Sequence, residues 1–344
     1  MSNSKGTVLV TGVTGYIGTD VALAFLRAGW RVKGTVRSKA KADAWIALYP
    51  QYIDQCEYVI VEDIVVDGAF DEAVKGCDAI AHVASPYTFT FKDNEKEMLI
   101  PAINGTKNIL AATKLEPRIK RFVLTSSFAA ANDPLTLPAI GKTFTADDWN
   151  PASYEDAKQS PITGYVYSAS KSLAEHIFWD FIKTEKPSWS GTSLCPAMVF
   201  GPPSQKVSSI STINTSMAII YQAIGGTWKA DGIPPTIFPV YTDVRKLGIA
   251  HVKAAELDVA KGQRYLFIEG YYKNEQIVDI AAKHFPQLKD KLPEVDISTL
   301  KTGDHFKTDV KKTDEDLGVQ STPFEVVIKD TIAKLLELEK ELGA

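Results

Sequence analysis

Thr7-Val8-Leu9-Val10-Thr11-Gly12-Val13-Thr14-Gly15-Tyr16-Ile17-Gly18 opens on an apolar run and closes on three glycines in a G-x-x-G-x-x-G spacing. Thr7–Thr11 reads as a buried parallel strand, a type that is short and apolar on both faces. Tyr16–Ala28 has helical spacing and stops at Gly29. Glycines between a strand and a helix permit a tight turn, close backbone approach to a pyrophosphate, and close helix–strand packing. The helix N-terminus adds free N–H groups and the positive end of a dipole. Gly12, Thr14, Gly15, Tyr16, Ile17 and Gly18 are therefore candidate dinucleotide contacts. A glycine-bearing turn with no ligand is the plain alternative.

The residues that follow keep strand and helix alternating. Arg31–Arg37 reads as a second strand, Lys39–Tyr49 as a helix closed by Pro50, Glu57–Val61 as a third strand and Ala79–Ala84 as a fourth. Glu95–Lys114 is a long helix, Arg121–Ser126 a fifth strand, Pro161–Lys183 contains a helix, and Gly191–Val199 is a sixth strand. This order predicts an α/β protein, a Rossmann-type doubly wound parallel sheet with helices on both faces. From about Gly201 prolines break the pattern (Gly201-Pro202-Pro203, Pro234-Pro235, Pro239). Residues 1–200 are expected to form the dinucleotide-binding domain. Residues 201–344 are expected to form mainly a smaller mixed α/β substrate lobe, with some segments returning to the first domain. Thr322-Pro323-Phe324-Glu325 has capping-box spacing with proline at the first position of a final helix.

The end of the second strand selects the dinucleotide. An NAD site usually places Asp or Glu there for the ribose 2′-hydroxyl. Lys33-Gly34-Thr35-Val36-Arg37-Ser38 has none. Arg37 can pair with a 2′-phosphate and Lys41 can add charge, which favours NADPH/NADP+; a solvated basic cluster at a helix start is the other reading. Asp63, past the third strand, can accept from an adenine amino group or be a solvated loop acid.

Composition narrows the partners. Lys and Arg number 38 against 42 Asp and Glu, a net charge of −4, so no basic excess points to nucleic acid. Cys56, Cys77 and Cys195 have no metal spacing and need no disulfide framework, and the five histidines are scattered, so no metal is expected. Met1–Gly6 are polar, and no apolar run is long enough to span a bilayer, so a cytoplasmic protein is expected. Nothing in the sequence sets the oligomeric state.

Tyr167 and Lys171 in Gly164-Tyr165-Val166-Tyr167-Ser168-Ala169-Ser170-Lys171 lie at i and i+4, one above the other on a helix face. A cation beside a phenol favours the phenolate and lowers its pKa, which makes Tyr167 a proton donor to a carbonyl near neutral pH. Alone this spacing is also that of a helix-surface pair. The fifth strand ends in Thr125-Ser126-Ser127, at the carboxyl edge of the sheet where ligands bind in open α/β folds. A serine there can donate to a substrate oxygen as it gains charge or simply cap a turn. Both Ser126 and Ser127 qualify.

Together these motifs resemble the extended short-chain dehydrogenase/reductase family over most of the chain. Asn104-Gly105-Thr106, Leu194-Cys195-Pro196-Ala197-Met198-Val199-Phe200-Gly201-Pro202 and Tyr241-Thr242-Asp243-Val244-Arg245 look like its secondary marks. Within it the chain is most similar to the dihydroflavonol-4-reductase-like branch, and there to yeast and fungal NADPH-dependent aldehyde and carbonyl reductases. Gly34–Ser38, Val61-Glu62-Asp63, Ala81–Ser85 and Arg121–Ser127 carry that likeness.

The resemblance implies NADPH-dependent reduction of a ketone or aldehyde without a metal. Hydride passes from C4 of the nicotinamide, with transfer of the pro-S hydrogen. Ser127 orients the carbonyl, Tyr167 donates the proton, and Lys171 lowers the tyrosine pKa and holds the ribose. The family's catalytic serine maps to Ser127 better than to Ser126, although Phe128 stands where a small residue is usual. The resemblance extends the cofactor contacts to Ile64, Val83, Ala84, Ser85, Thr125, Pro196, Ala197, Met198 and Val199. Gly164–Ser168 departs from the plant cinnamoyl-CoA pattern, which argues against a CoA ester. Ser85–Phe91, Phe128, Tyr165 and the stretch beyond Val199 are the expected pocket walls, suited to a hydrophobic carbonyl substrate; packing under a loop is the other use for those rings.

Two other functions fit the same frame. One is an NAD-retaining nucleotide-sugar epimerase or dehydratase. Against it stand Arg37 and the lack of basic residues in Gly232–Val240. The other is a non-catalytic dinucleotide sensor, for which a complete Ser127, Tyr167 and Lys171 set has no use.

Overall fold

The computed structural model describes residues 4–87, 90–301 and 303–343. Its main sheet is built from β1 (Thr7–Val10), β2 (Arg31–Val36), β3 (Cys56–Ile60), β4 (Ala79–His82) and β5 (Arg121–Thr125). Two short segments pair beside it, β6 (Thr143–Phe144) and a later partner. The chain then returns to the main sheet with β7 (Ser190–Pro196), leaves it for β8 (Met198–Phe200) and β9 (Val240–Asp243), and returns again with β10 (Gln263–Phe267). Finally β11 (Gly270–Tyr271) pairs with β9, and β12 (Lys307–Thr308) pairs with β6. The order across the main sheet is β10-β7-β5-β4-β1-β2-β3, and every pairing is parallel. Connections run one way from β1 to β3 and the other way from β4 onward. The switch point lies between β1 and β4, which puts the glycine segment and His82–Ser85 at one crevice.

The expected α/β architecture is present, with three local differences. The sixth strand is two strands. β7 stays in the main sheet until Pro196, which pairs with Phe267, and β8 belongs to a three-stranded sheet with β9 and β11. Thr242 makes the join: its hydroxyl accepts from Ala197 N at 3.1 Å and donates to the Phe267 carbonyl at 2.6 Å. The long helix Glu95–Lys114 is also composite. A π turn, Glu95–Leu99, precedes the α-helix Ile100–Ala112. Pro101, which has no N–H and a ring that crowds the preceding turn, accounts for the widened start. The third difference is at the last helix, Phe324–Leu342. It starts after Pro323 without a side-chain cap. Glu325 does not reach back to form a capping box; it accepts from Lys283 and His284, at 2.6 Å each.

Among the described residues two buried clusters are the largest. One lies between the sheet, the first helix Tyr16–Arg27 and the helix Val244–Glu256, and includes Val21, Phe25, Leu247 and Ala254. The other lies in the C-terminal third, where Phe200, Ile220, Ile277, Val327 and Leu335 meet. The first depends on close helix contact: a Cβ on Gly248 would stand 2.7 Å from the Asp20 carbonyl oxygen. Gly248→Ala is therefore expected to destabilise by about 1–3 kcal/mol, since backbone cannot yield as a side-chain tip does. Urea denaturation checks this, and an unchanged midpoint would show that the helices can separate freely. Among the described residues no helix is long and apolar enough to cross a membrane.

Candidate active site

The glycine segment is shaped by backbone contact. Gly12 has φ +67°, a left-handed conformation that glycine adopts without strain, and its N–H donates to Thr35 Oγ1 at 2.9 Å. Gly15 N donates to the Gly12 carbonyl at 2.9 Å. A Cβ on Gly18 would lie 2.2 Å from that same oxygen, so only glycine fits. The helix from Tyr16 has no side-chain cap on its first turn, which leaves its amides facing the crevice as an anion site needs. The Tyr16 hydroxyl is committed elsewhere, donating to the Gly201 carbonyl at 2.9 Å.

Thr11 braces the other wall. Its Oγ1 accepts from Val83 N and Ala84 N, both at 2.9 Å, and lies 2.9 Å from His82 Nδ1. With both lone pairs used, the hydroxyl must donate to Nδ1, so His82 is the Nε2–H tautomer. Burial, with the charge of Lys171 adding, pushes its pKa down to about 3, so the ring is neutral. Val83 and Ala84 consequently have no amide to spare for a ligand.

Arg37 and Lys41 are exposed at the end of β2, and among the described residues neither has an ion-pair partner. Asp63 is exposed, and its Oδ1 accepts from Val65 N at 2.9 Å. Ile64 is held behind it: Asn108 donates to the Ile64 and Val66 carbonyls at 2.9 Å each. A Cβ on Gly105 would stand 2.7 Å from Ile64 Cδ1. Gly105 and Asn108 of this helix thus fix the loop that follows β3.

The helix Thr163–Glu185 carries Tyr167 and Lys171 to the carboxyl edge of β5. Ser126 and Ser127 point to different sides, as successive residues of an extended chain must. Ser126 is buried, and its hydroxyl donates to Glu175 Oε2 at 2.6 Å. The Ser127 hydroxyl accepts from Ala129 N at 3.1 Å and stands near enough to Tyr167 to favour its phenolate. Between the two serines, only Ser127 faces the tyrosine. The Tyr87 ring meets Tyr167 edge-on at 5.2 Å.

Lys171 is buried, with Nζ 3.3 Å from the Thr125 carbonyl. Burial pushes its pKa down to about 8, opposed by Glu175 and Cys195. The Tyr167 phenol differs from expectation. Burial and Tyr87 push it above its ordinary value, and Ser127 opposes them. Desolvation of the would-be phenolate outweighs any help from Lys171. The Thr125 hydroxyl is also committed, to His251 Nε2 at 2.7 Å.

Ala197, Met198 and Val199 lie where the chain crosses between sheets, with the Ala197 amide spent on Thr242; Pro196 and Val199 are buried. Several expected pocket walls are core. Phe128 is only 2% exposed and packs on Phe144 and Phe306 at 5.4 and 5.3 Å. Phe91 and Tyr165 sit in a buried cluster with Met98 and Leu99. Thr88 and Phe89 lie outside the described residues. Among the described residues no group of three or more His, Cys, Asp or Glu could hold a metal ion.

A doubly wound sheet with a glycine loop at its switch point, and Ser127, Tyr167 and Lys171 at the adjoining edge, defines a dinucleotide-binding α/β protein. Residues 8–220 match the NAD dependent epimerase/dehydratase family. The chain belongs to that family, in its extended short-chain dehydrogenase/reductase form. It is 38% identical over 336 residues to a Schizosaccharomyces pombe protein named as an uncharacterized oxidoreductase, covering 97% of this chain and 98% of that one. It is 34% identical over 342 residues to the ketoreductase azaE of Aspergillus niger, covering 98% and 99%. The crystal structure of yeast methylglyoxal/isovaleraldehyde reductase Gre2 complexed with NADPH superposes with a TM-score of 0.91 at 29% identity, covering 97% of this chain and 99% of that one.

Proposed function

We propose that this protein is an NADPH-dependent carbonyl reductase in which Ser127, Tyr167 and Lys171 act on a ketone or aldehyde. The observation that carries this reading is the placement of Ser127 beside Tyr167, with Lys171 one turn along, at the sheet edge beside the glycine loop. The residues present fit the cofactor. The cradle at Gly12–Gly18 excludes a Cβ, and two unpaired cations stand at the end of β2 with no carboxylate among Lys33–Ser38. The amides of Tyr16–Gly18 at the uncapped helix start would hold the pyrophosphate, Arg37 and Lys41 the 2′-phosphate, Asp63 the adenine and Lys171 the ribose. Bound NADPH supplies a hydride to the carbonyl carbon.

The chain's own groups supply the rest. Ser127 donates a hydrogen bond to the carbonyl oxygen, and Tyr167 gives it a proton. A phenol shifted upward is fully protonated near neutral pH, the form that reduction uses. Lys171 keeps a positive charge on the Tyr167 face, which favours the phenolate left behind.

The residues beyond Gly201 are assigned mainly to the substrate side, and among the described residues of the Ser85–Phe91 stretch Tyr87 is the aromatic wall that remains. Its ring meets Tyr167 edge-on, and Thr215 of the C-terminal part stands beside its hydroxyl. On this basis a bulky or aryl ketone is the preferred substrate. Equal kcat/KM for methylglyoxal and an aryl ketone would refute the preference. Three free cysteines suit a reducing, cytoplasmic setting.

The test of the reading is NADPH and NADH oxidation by purified protein against a panel of aldehydes and ketones. Carbonyl-dependent loss of NADPH with little loss of NADH is expected. No loss with either, and NAD released on denaturation, would replace the reductase with an epimerase or dehydratase. Arg37→Ala is expected to weaken NADPH binding roughly 10- to 100-fold by losing a charged hydrogen bond, and NADH hardly at all. Titration of both cofactors checks it, and equal weakening would remove Arg37 from the 2′-phosphate site.

A further inference from the structure

Glu175 lies one turn beyond Lys171 and two beyond Tyr167 on the same helix face, and its side chain is wholly buried. Its oxygens are saturated from three strand segments. Ser126 at the end of β5 donates at 2.6 Å, Ser193 of β7 at 2.5 Å, and Arg264 of β10 through Nε at 2.9 Å and Nη2 at 3.2 Å. Arg264 is itself immobilised. Its Nη1 donates to the Ala146 and Asp148 carbonyls at 2.7 Å each, and its guanidinium lies 3.9 Å from the centre of the Trp149 ring.

Buried ion pairs add little stability over apolar residues of the same volume. This one, however, is tied to the site on two sides. Its bond to Ser126 turns that residue inward, and the extended backbone at Ser127 (φ −160°, ψ 151°) then presents the next hydroxyl outward to Tyr167. A small pocket lined by His82, Thr125, Ser126, Lys171 and Glu175 also joins the carboxylate to the lysine.

We propose that Glu175, clamped by Arg264, is a positioning residue: it sets which serine faces Tyr167 and supports the positive charge of Lys171. The proposal rests on the catalytic reading of Ser127, Tyr167 and Lys171. Burial pushes the Glu175 carboxyl up, but Arg264, Ser126 and Ser193 more than offset it and hold it below the usual carboxylate range, so it is charged. Lys171 faces Tyr167 and Glu175 on its own helix, His82 from β4 and Cys195 from β7. Burial pushes the Cys195 thiol up to about 12 and the His82 ring is neutral, so Glu175 is the anion near the lysine.

Two variants of the full chain test this, with Tyr167→Phe alongside. Ser126→Ala keeps the ion pair and breaks only the link to the strand end. It is expected to lower kcat about tenfold, the worth of one hydrogen bond to a charged group, with NADPH affinity unchanged; Ser126→Thr restores kcat. Glu175→Gln removes the anion, so Lys171 loses its proton more readily and the alkaline limb of the kcat profile moves down by about one pH unit. Ser126→Ala remains decisive if Glu175→Gln does not fold. Wild-type kcat and an unmoved limb in folded variants would overturn the proposal. So would equal losses of kcat, NADPH affinity and melting temperature, which would mean packing alone. An active Tyr167→Phe would overturn the catalytic reading and this proposal with it, whereas an inactive one beside wild-type Ser126→Ala and Glu175→Gln would overturn this proposal only.

Discussion

Tyr167→Phe is expected to lower carbonyl-dependent NADPH turnover by a factor of about 100 to 10,000, the span that a positioned general acid contributes. The ring would keep its contact with Tyr87, and no buried charge is created, so the fold and the melting temperature should hold. NADPH affinity should hold too, because the proposed grip on the cofactor lies with the glycine loop, Arg37 and Lys171. The lost oxygen is the one proposed to give the proton, and it lies beside Ser127. Single-turnover rates on the NADPH-loaded variant separate chemistry from binding. A rate within a factor of a few of wild type would mean that another group protonates the carbonyl.

The second large effect is expected at Gly18. A methyl there would sit 2.2 Å from the Gly12 oxygen and 2.9 Å from its carbonyl carbon, both backbone atoms. Gly12 cannot yield cheaply: its amide is bonded to Thr35, and an added Cβ of its own would be 3.3 Å from the Ala84 Cβ. Gly18→Ala should therefore open the loop and weaken NADPH by about 100-fold, with a loss of about 2–3 kcal/mol in stability. Gly15→Ala is the control, since its Cβ would meet the same oxygen at 3.2 Å and need only a small shift. Fluorescence titration with NADPH and thermal melts read both quantities. Wild-type affinity in Gly18→Ala would mean that the pyrophosphate does not need the loop as it stands.

Much of this was legible from residue order alone, for a physical reason. Strands β1 to β5 and their helices carry local signals: apolar runs, glycine stops, and helical spacing that places Tyr167 and Lys171 on one face. The glycine loop has one conformation that serves its chemistry, so its spacing announces it. What could not be read depends on contacts distant in the chain. β10 is a short run in a region broken by prolines, and only its pairing with β7 makes it part of the main sheet. The aromatic rings Phe91 and Phe128 look alike as pocket or core, and packing with Phe144, Phe306 and Met98 decided for core. Glu175 had a readable cue in its spacing from Lys171, but its partner Arg264 lies 89 residues away. The Tyr167 phenol was expected to shift down because a neighbouring cation can be seen in the sequence, whereas desolvation cannot.

The return of β10 has a practical meaning for anyone dividing the gene. A fragment ending near residue 200 contains the glycine loop, Ser127, Tyr167 and Lys171, and looks self-sufficient on paper. It lacks β10, so β7 would become an open edge. It also lacks Arg264, so Glu175 would be a wholly buried carboxylate without its cation. Exchanging the C-terminal third between relatives meets the same obstacle, because the replacement must bring an arginine to the same place. The C-terminal third therefore cannot be removed or exchanged without also replacing the strand and the arginine that complete the main sheet.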